Sequence, residues 1–468
     1  MKVLVAIILC LSVFAGISSS FAQVEPPGFT NAVNISQVSA DSELPHVIVS
    51  GDGVFAIWTQ SSLGRSDVFF AKSTDGGNTF GNPINLSGTT NGQSIYPQFV
   101  ENNNQIYVTW QSSLSGTSTI FMTQSLDGGA NFAKPVTISD ASQLSAFPQI
   151  AFSGNNVYST WIEKSADNST NIIFAKSNDQ GKSFGAPLHV THNMGNSGIP
   201  KLIADGNNVY LAWEDNSRGD YEIFLSKSSD SGASFHVPVD ISTTTGQSGT
   251  PEVVVSGNDV YAVWMDNTSG NYDIFFTKST DGGSTFAKPV NISSQKGDSG
   301  YPQFTVWKNN IYVVWTQTMT GINYDVFFVK STDNGDTFGT PINLSNNFGP
   351  SGWPKISSDG NVYVSWVDST PGKFDILITK STDGGTTFEN ATNLSHSNKE
   401  SYENDMAVLG NIVYMVWQEG QSGNHTIVFS KSTTFVPEFG PFASLALIVS
   451  IISIIAISYR SGLKLKIN

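Results

Sequence analysis

The stretch FAKSTDGGNTFGNPINLS, Phe70 to Ser87, is one instance of a pattern that returns down the chain at an almost constant interval. The aspartates of its S-x-D-x-G-x-x-F element stand at Asp75, Asp127, Asp179, Asp230, Asp281, Asp333 and Asp383, spaced 52, 52, 51, 51, 52 and 50 residues apart. A fixed period near 50 with strand-like content restricts the chain to a propeller or a solenoid. Each period carries four short β-rich runs, seen in one copy as PEVVVS, DVYAVWMD, YDIFFTKS and KPVNIS. Four strands per repeat is the count of a propeller blade. The middle runs are nearly continuous apolar, as expected of strands sandwiched between neighbouring blades.

In STDGG the aspartate can accept hydrogen bonds from backbone N–H groups of its own turn, and glycine supplies the positive φ of a tight connection. The aromatic that ends each copy (Phe80, Phe132, Phe184, Phe235, Phe286, Phe338, Phe388) is expected to tuck into the apolar layer beneath. A calcium loop is the alternative, but such loops supply several oxygen ligands where each copy here has one dependable carboxylate. These elements resemble the Asp-box, or BNR, repeats of sialidases and related β-propellers. The resemblance covers residues 29–435 and places the box between the third and fourth strands of a blade. It also implies, for an active sialidase, an arginine triad holding the substrate carboxylate, a Tyr/Glu nucleophile pair and an acidic proton donor.

The tryptophan strand occurs eight times, at Trp58, Trp110, Trp161, Trp213, Trp264, Trp315, Trp366 and Trp417, against seven boxes. The last copy, FSKSTTF at Phe429 to Phe435, breaks off before the box is complete. Its missing fourth strand is expected from the other end of the chain, where FTNAVNIS (Phe29 to Ser36) has the spacing of FGNPINLS. The expectation is an all-β, single eight-bladed propeller of four-stranded blades closed by the N-terminal strand, with seven blades as the alternative.

Residues 1–22 read as a secretory signal: Lys2, an apolar run, then SSSFAQ with cleavage after Ala22. Cys10, the sole cysteine, lies inside that signal, so the mature chain can form no internal disulfide. Residues 442–459 are uncharged and long enough for a helix of roughly 27 Å, about the thickness of a hydrocarbon core. A buried core helix is the alternative. Arg460, Lys464 and Lys466 in the tail 460–468 are expected to stay cytoplasmic, with the propeller outside. The linker 436–441 opens VPEFGPFA, which with the helix and basic tail resembles the PEFG sorting signal of exported archaeal proteins. That resemblance implies cell-surface display, with processing by a sortase-like enzyme.

A formal charge of −15 disfavours nucleic acid, which needs a basic face. Outside the tail the chain has only Arg65 and Arg218, so no arginine triad can be assembled, and lysine is no bidentate substitute. The six histidines show no metal-ligand spacing, and neither a metal nor another cofactor is expected. What remains is a face opposite the boxes. Loops after the tryptophan strand offer acids, and the loops leading into each blade offer Tyr96, Phe147, Tyr301, Trp353 and Tyr402. The candidate ligand-binding set is Asp215, Arg218, Asp220, Glu222, Asp266, Asp273, Tyr301 and Trp353, with no catalytic residue assigned. The lysines before each box serine, such as Lys72, Lys278 and Lys431, read as a solvated rim. The N-x-S/T sequons include Asn34, Asn85, Asn291, Asn343 and Asn393 in the repeated fourth strand, and read either as glycosylation acceptors or as part of the blade pattern. Together these features describe a membrane-anchored, monomeric surface propeller that binds a carbohydrate, a protein or an envelope polymer without catalysis. The alternative is a glycoside hydrolase, which needs only two suitably spaced carboxylates.

Overall fold

The computed structural model describes residues 28–433, apart from 38–39, 193–194, 294–295, 321–322 and 371. The expected signal peptide, PEFG linker, transmembrane helix and basic tail all lie outside the described residues. Among the described residues there is no helix long and apolar enough to cross a membrane.

The described chain is all-β. It forms six separate four-stranded sheets and one eight-stranded sheet in which two such units share the bridge Leu144↔Ser118. Each unit is an antiparallel meander. The first comprises β2 (Asp41–Ser50), β3 (Gly53–Ser62), β4 (Arg65–Ser73) and the short β5 (Ile84–Asn85), paired in that order. The last unit takes Glu400–Leu409, Ile412–Gln421 and Asn424–Lys431 from the end of the chain and β1 (Val33–Asn34) from its beginning. Val33 pairs with Phe429 and Asn34 with Val428, and Ile35 N–H donates to Ile427 C=O at 2.9 Å. The N-terminal strand therefore completes the final sheet, as the missing eighth box implies.

The second strands are buried on both faces. The eight tryptophans of these strands are among the largest fully buried side chains, and apolar clusters run across unit boundaries. One cluster joins Ile35, Val416, Ile427 and Phe429 of the last unit to Val54, Trp58 and Ala71 of the first. The first strand of each unit touches the first strand of the next, and Glu400–Leu409 touches β2, so the units close on themselves. Hydrogen bonds cross the same seam, with Leu44 N–H on Glu403 Oε2 at 2.9 Å and Val47 N–H on Asp405 Oδ2 at 3.0 Å.

The boxes lock turns. Ser73 Oγ donates to Asp75 Oδ1 at 2.7 Å, and the carboxylate accepts the Thr79 N–H at 2.9 Å and the Thr79 hydroxyl at 2.7 Å. Gly77, at φ +82°, lies so close to Phe429 that a Cβ would collide with the ring, and Phe80 packs edge-on against that ring at 4.8 Å. Each box is thus also a contact with the preceding unit. Four of the lysines before the box serines are engaged across unit boundaries and are not part of a solvated rim. Lys72 Nζ donates to Gly128 C=O at 2.9 Å, Lys278 to Asn334 C=O at 2.8 Å and Lys330 to Gly384 C=O at 2.9 Å, each a carbonyl in the next unit's box. Lys431 Nζ reaches Gly76 C=O at 2.6 Å and so carries the same link across the chain ends.

The hydrogen bonds inside the boxes hold all seven box aspartates below the usual carboxylate range, a side-chain donor contributing most in each, and Asp179 falls to about 2. A carboxyl whose folded pKa is depressed stabilises the fold above its unfolded value and loses that contribution as pH falls. Melting temperature should therefore begin to drop near pH 4, where the unfolded carboxyls take up protons, and go on dropping to about pH 2 and below, where the folded boxes protonate. Asp281→Asn should shallow this dependence in a pH series of thermal melts, and an unchanged slope would remove the boxes from the acid response.

Candidate functional site

The start of every first strand carries a β-bulge on the face opposite the boxes. The register slips between Glu43 and His46, and at the same place in the other units, for example between Gly300 and Gln303 and between Gly352 and Lys355. The bulge residues are Leu44, Tyr96, Phe147, Ile199, Thr250, Tyr301, Trp353 and Glu403, all with φ between 46° and 55°. A left-handed conformation is unfavourable for any of these, and for β-branched Ile199 and Thr250 it is an outlier. Seven precede a proline, whose ring already disfavours compact conformations at that position. The same strain in every unit points to a purpose, because bulges re-aim side chains. Here they turn large apolar groups outward: Tyr301 is 60% exposed, Trp353 58%, Phe147 47% and Tyr96 37%. Tyr96 and Phe147 lie ring to ring at 5.0 Å.

Two residues beyond each bulge lies a belt of polar groups. Lys201 Nζ is 2.7 Å from Glu252 Oε1, and Gln303 Nε2 donates to that oxygen at 3.1 Å. Lys355 Nζ and His46 Nδ1 flank Asp405 at 3.9 and 3.5 Å. Burial opposes the charge of Asp405, but His46, Lys355 and the Val47 N–H outweigh it and hold the carboxyl below its usual range.

Of the eight candidate residues, the structure leaves Tyr301 and Trp353 open to a ligand and turns three acids inward. Asp215, Asp266 and Asp273 are buried. Asp266 accepts the hydroxyls of Ser248 and Thr244 and the Thr268 N–H, and Asp273 accepts the Ser293 hydroxyl and the Asn291 amide. Ser197 Oγ and Ser217 N–H hold Asp215 in the same way. A buried carboxylate is stable only with such donors, and these acids secure turns. The fourth-strand sequons share this chemistry: the side-chain amides of Asn85, Asn291, Asn343 and Asn393 donate to Asp67, Asp273, Asp325 and Asp375. They are part of the blade pattern, and a glycan on that nitrogen would cost the bond.

Arg65 is paired, with Nε and Nη2 on Asp67 Oδ1 at 3.0 and 2.9 Å. Arg218 pairs with Asp240 at 3.4 Å and lies over the Phe224 ring. Asp220 accepts the Gln247 side-chain amide. Glu222 is half-buried, accepts the Ser242 hydroxyl, and is pushed up to about 7 by burial, with Asp240, Asp266 and Asp220 adding to the rise. Tyr402 is off the ring of bulges. Glu403 takes that position, while Tyr402 packs against Phe374 at 5.2 Å.

Two notches open between adjacent bulges. One, about 470 Å³, is lined by Phe147, Ile199, Lys201, Glu214 and Tyr221. Burial raises Glu214 there, against a hydrogen bond from the Thr250 N–H. The other, about 420 Å³, is lined by Trp353, Lys355, Tyr402, His46 and Gln418. Gln418 is 6% exposed, and its Oε1 has no hydrogen-bond partner. A larger hollow of about 710 Å³ lies among Asp140, Glu163 and His189. Among the described residues one group could hold a cation, Asp41, Glu43 and His425 with donor atoms within 4.8 Å of one another, and there His425 Nδ1 already bonds Asp41 at 2.6 Å.

The repeated bulge went unread in the sequence, although its signal, an exposed residue before proline in nearly every period, is visible there. Leu44, Ile199, Thr250 and Glu403 were missed because they share no residue type with the aromatic members.

No family model matches this sequence, and no curated protein matches it. Among solved structures, the chain is similar to a Hadza microbial sialidase at 15% identity and a TM-score of 0.39, over 59% of this chain and 63% of that one, so it spans less than two thirds of that enzyme. It is similar to a protein of unknown function from Dyadobacter fermentans DSM 18053 at 15% identity and a TM-score of 0.45, covering 86% of this chain and 99% of that one. The polysaccharide lyase Uly1 is similar at 11% identity and a TM-score of 0.48, over 83% of this chain and 89% of the lyase. At these scores the likenesses carry no weight in assigning the site, which rests on the residues above.

Proposed function

We propose that the chain is an eight-bladed propeller, exported and anchored at the cell surface by its C-terminal helix, that binds carbohydrate through its ring of bulges without catalysis. The observation that carries this reading is the exposure of Tyr301, Trp353, Phe147 and Tyr96 on one rim, each held outward by strained backbone. A sugar ring has an apolar face and a hydroxylated edge. Aromatic side chains cover the first, and amides and charged groups beneath them meet the second. The polar belt from His46 to Asp405 supplies such groups. The surface acids predicted to accompany the aromatics are largely engaged in turns, so the reading rests on the rings and the belt.

Glycoside hydrolysis is the second reading, favoured by Glu222. A carboxyl raised to about 7 among Asp220, Asp240 and Asp266 has the protonation of a general acid. Sialidase activity is not part of either reading, since both Arg65 and Arg218 are already engaged by aspartates.

A glycan array run beside a glycosidase substrate panel on the ectodomain separates the two. Binding without turnover is expected, with affinity falling about tenfold or more in Trp353→Ala and Tyr301→Ala, which is about 1.4 kcal/mol or more. Turnover abolished by Glu222→Gln would replace the binding reading with the enzymatic one. Release of sialic acid abolished by Arg218→Ala would overturn the exclusion of sialidase chemistry.

A further inference from the structure

We propose that the rim carries two separate sugar subsites on opposite sides of the ring of units, so that its ligand is an extended glycan chain lying across the mouth. This rests on the carbohydrate reading above and specifies the ligand as a polymer.

The first subsite is the notch of Trp353 and Gln418. Trp353 presents an open ring face, and the Gln418 carboxamide oxygen on its wall is buried without a donor. A buried acceptor left unpaired is costly, and natural proteins rarely leave one without reason. A turn of the Gln418 carboxamide toward the notch would let a sugar hydroxyl donate to Oε1 while the sugar ring covers Trp353. His46 and Lys355 stand at the same wall as further donors.

The second subsite is the notch of Phe147 and Ile199, with Tyr221 and Glu214 on its wall. It is the more apolar of the two in residue type and offers a carboxyl, not an unpaired amide. Its place is the decisive point. Phe147 and Ile199 belong to the third and fourth units, and Trp353 and Gln418 to the seventh and eighth, so two units lie between the notches on either side of a ring that closes after the eighth. Both notches are built from the same bulge position and open on the same rim. A monosaccharide can fill only one, whereas a chain long enough to reach both gains from the second contact as an intramolecular event, which multiplies affinity without any new kind of contact.

The test is a calorimetric titration of the ectodomain with cello-, chito- and alginate oligosaccharides from one to about twelve residues. The expected result is a weak, flat response for short members and a rise of 10²-fold or more once the chain reaches both notches. Trp353→Ala and Phe147→Ala should each abolish that step and leave only the weak single-site response, and the double variant should lose that response as well. Trp353→Phe, which keeps an aromatic face if alanine disturbs the bulge, should preserve the step. Affinity independent of length, or a length-dependent step that survives in either single alanine variant, would overturn the two-subsite proposal and leave the carbohydrate reading in place. No binding by any oligosaccharide would overturn both.

Discussion

Deleting residues 23–37 should collapse the stability of the ectodomain, not trim it. The segment supplies the fourth strand of the last sheet, and Ile35, fully buried, packs against Trp58 and Val54 of the first unit as well as Ile427 and Phe429 of its own. Removing it exposes the edge of Asn424–Lys431 and cuts the chain link from β1 in the last sheet to β2 in the first. Ile35→Ala alone should cost about 2–5 kcal/mol, the usual range for a buried isoleucine. The deletion should cost more, because it also forfeits the hydrogen bonds from Thr30 and Ile35 to Lys431 and Ile427. Chemical denaturation read by tryptophan fluorescence measures both, and a deletion variant that melts like the intact ectodomain would sink the closure.

Asp368→Ala should be nearly as damaging, although Asp368, two residues after Trp366, falls where the sequence suggests acids on a ligand-facing loop. The carboxylate is wholly buried and accepts four donors, from Ser351 Oγ at 2.8 Å, Asn347 Nδ2 at 2.6 Å, Trp366 Nε1 at 3.0 Å and the Thr370 N–H at 2.8 Å. Alanine leaves all four without that acceptor and opens a void beside a core tryptophan. Each buried polar group left unsatisfied costs about 1–3 kcal/mol, so a loss of roughly 3–5 kcal/mol is expected after partial relaxation and water entry. Asp368→Asn, which keeps one oxygen, should recover part of it. Ligand affinity of the folded Asp368→Asn protein should be unchanged. A stable Asp368→Ala variant with lost binding would return the buried acids to the site.

These two residues mark where sequence reading succeeds and where it stops. Ile35 was legible because a repeat is counted, and eight tryptophan strands against seven boxes leave one strand to be found. Asp368 was not, because an acid after a strand has the same local pattern whether it faces water or folds inward onto serines from the same sheet. The lysine before the box looked like a surface charge for a related reason. Its partner is a carbonyl about 55 residues away, as in Lys72 to Gly128, and no local pattern reports that distance.

The period, the four runs per period and the box chemistry are properties of short segments, and short segments dictate them through turn geometry and alternating burial. The sequence by itself therefore determined an all-β chain of repeated four-stranded units, with its two ends sharing the last. Only the tertiary structure decided which polar groups remain for a ligand. That choice depends on which side chains find donors in neighbouring strands and units. It also depends on a bulge whose left-handed backbone aims Trp353 and Tyr301 outward, whereas an unbroken strand would alternate its side chains between the faces of the sheet.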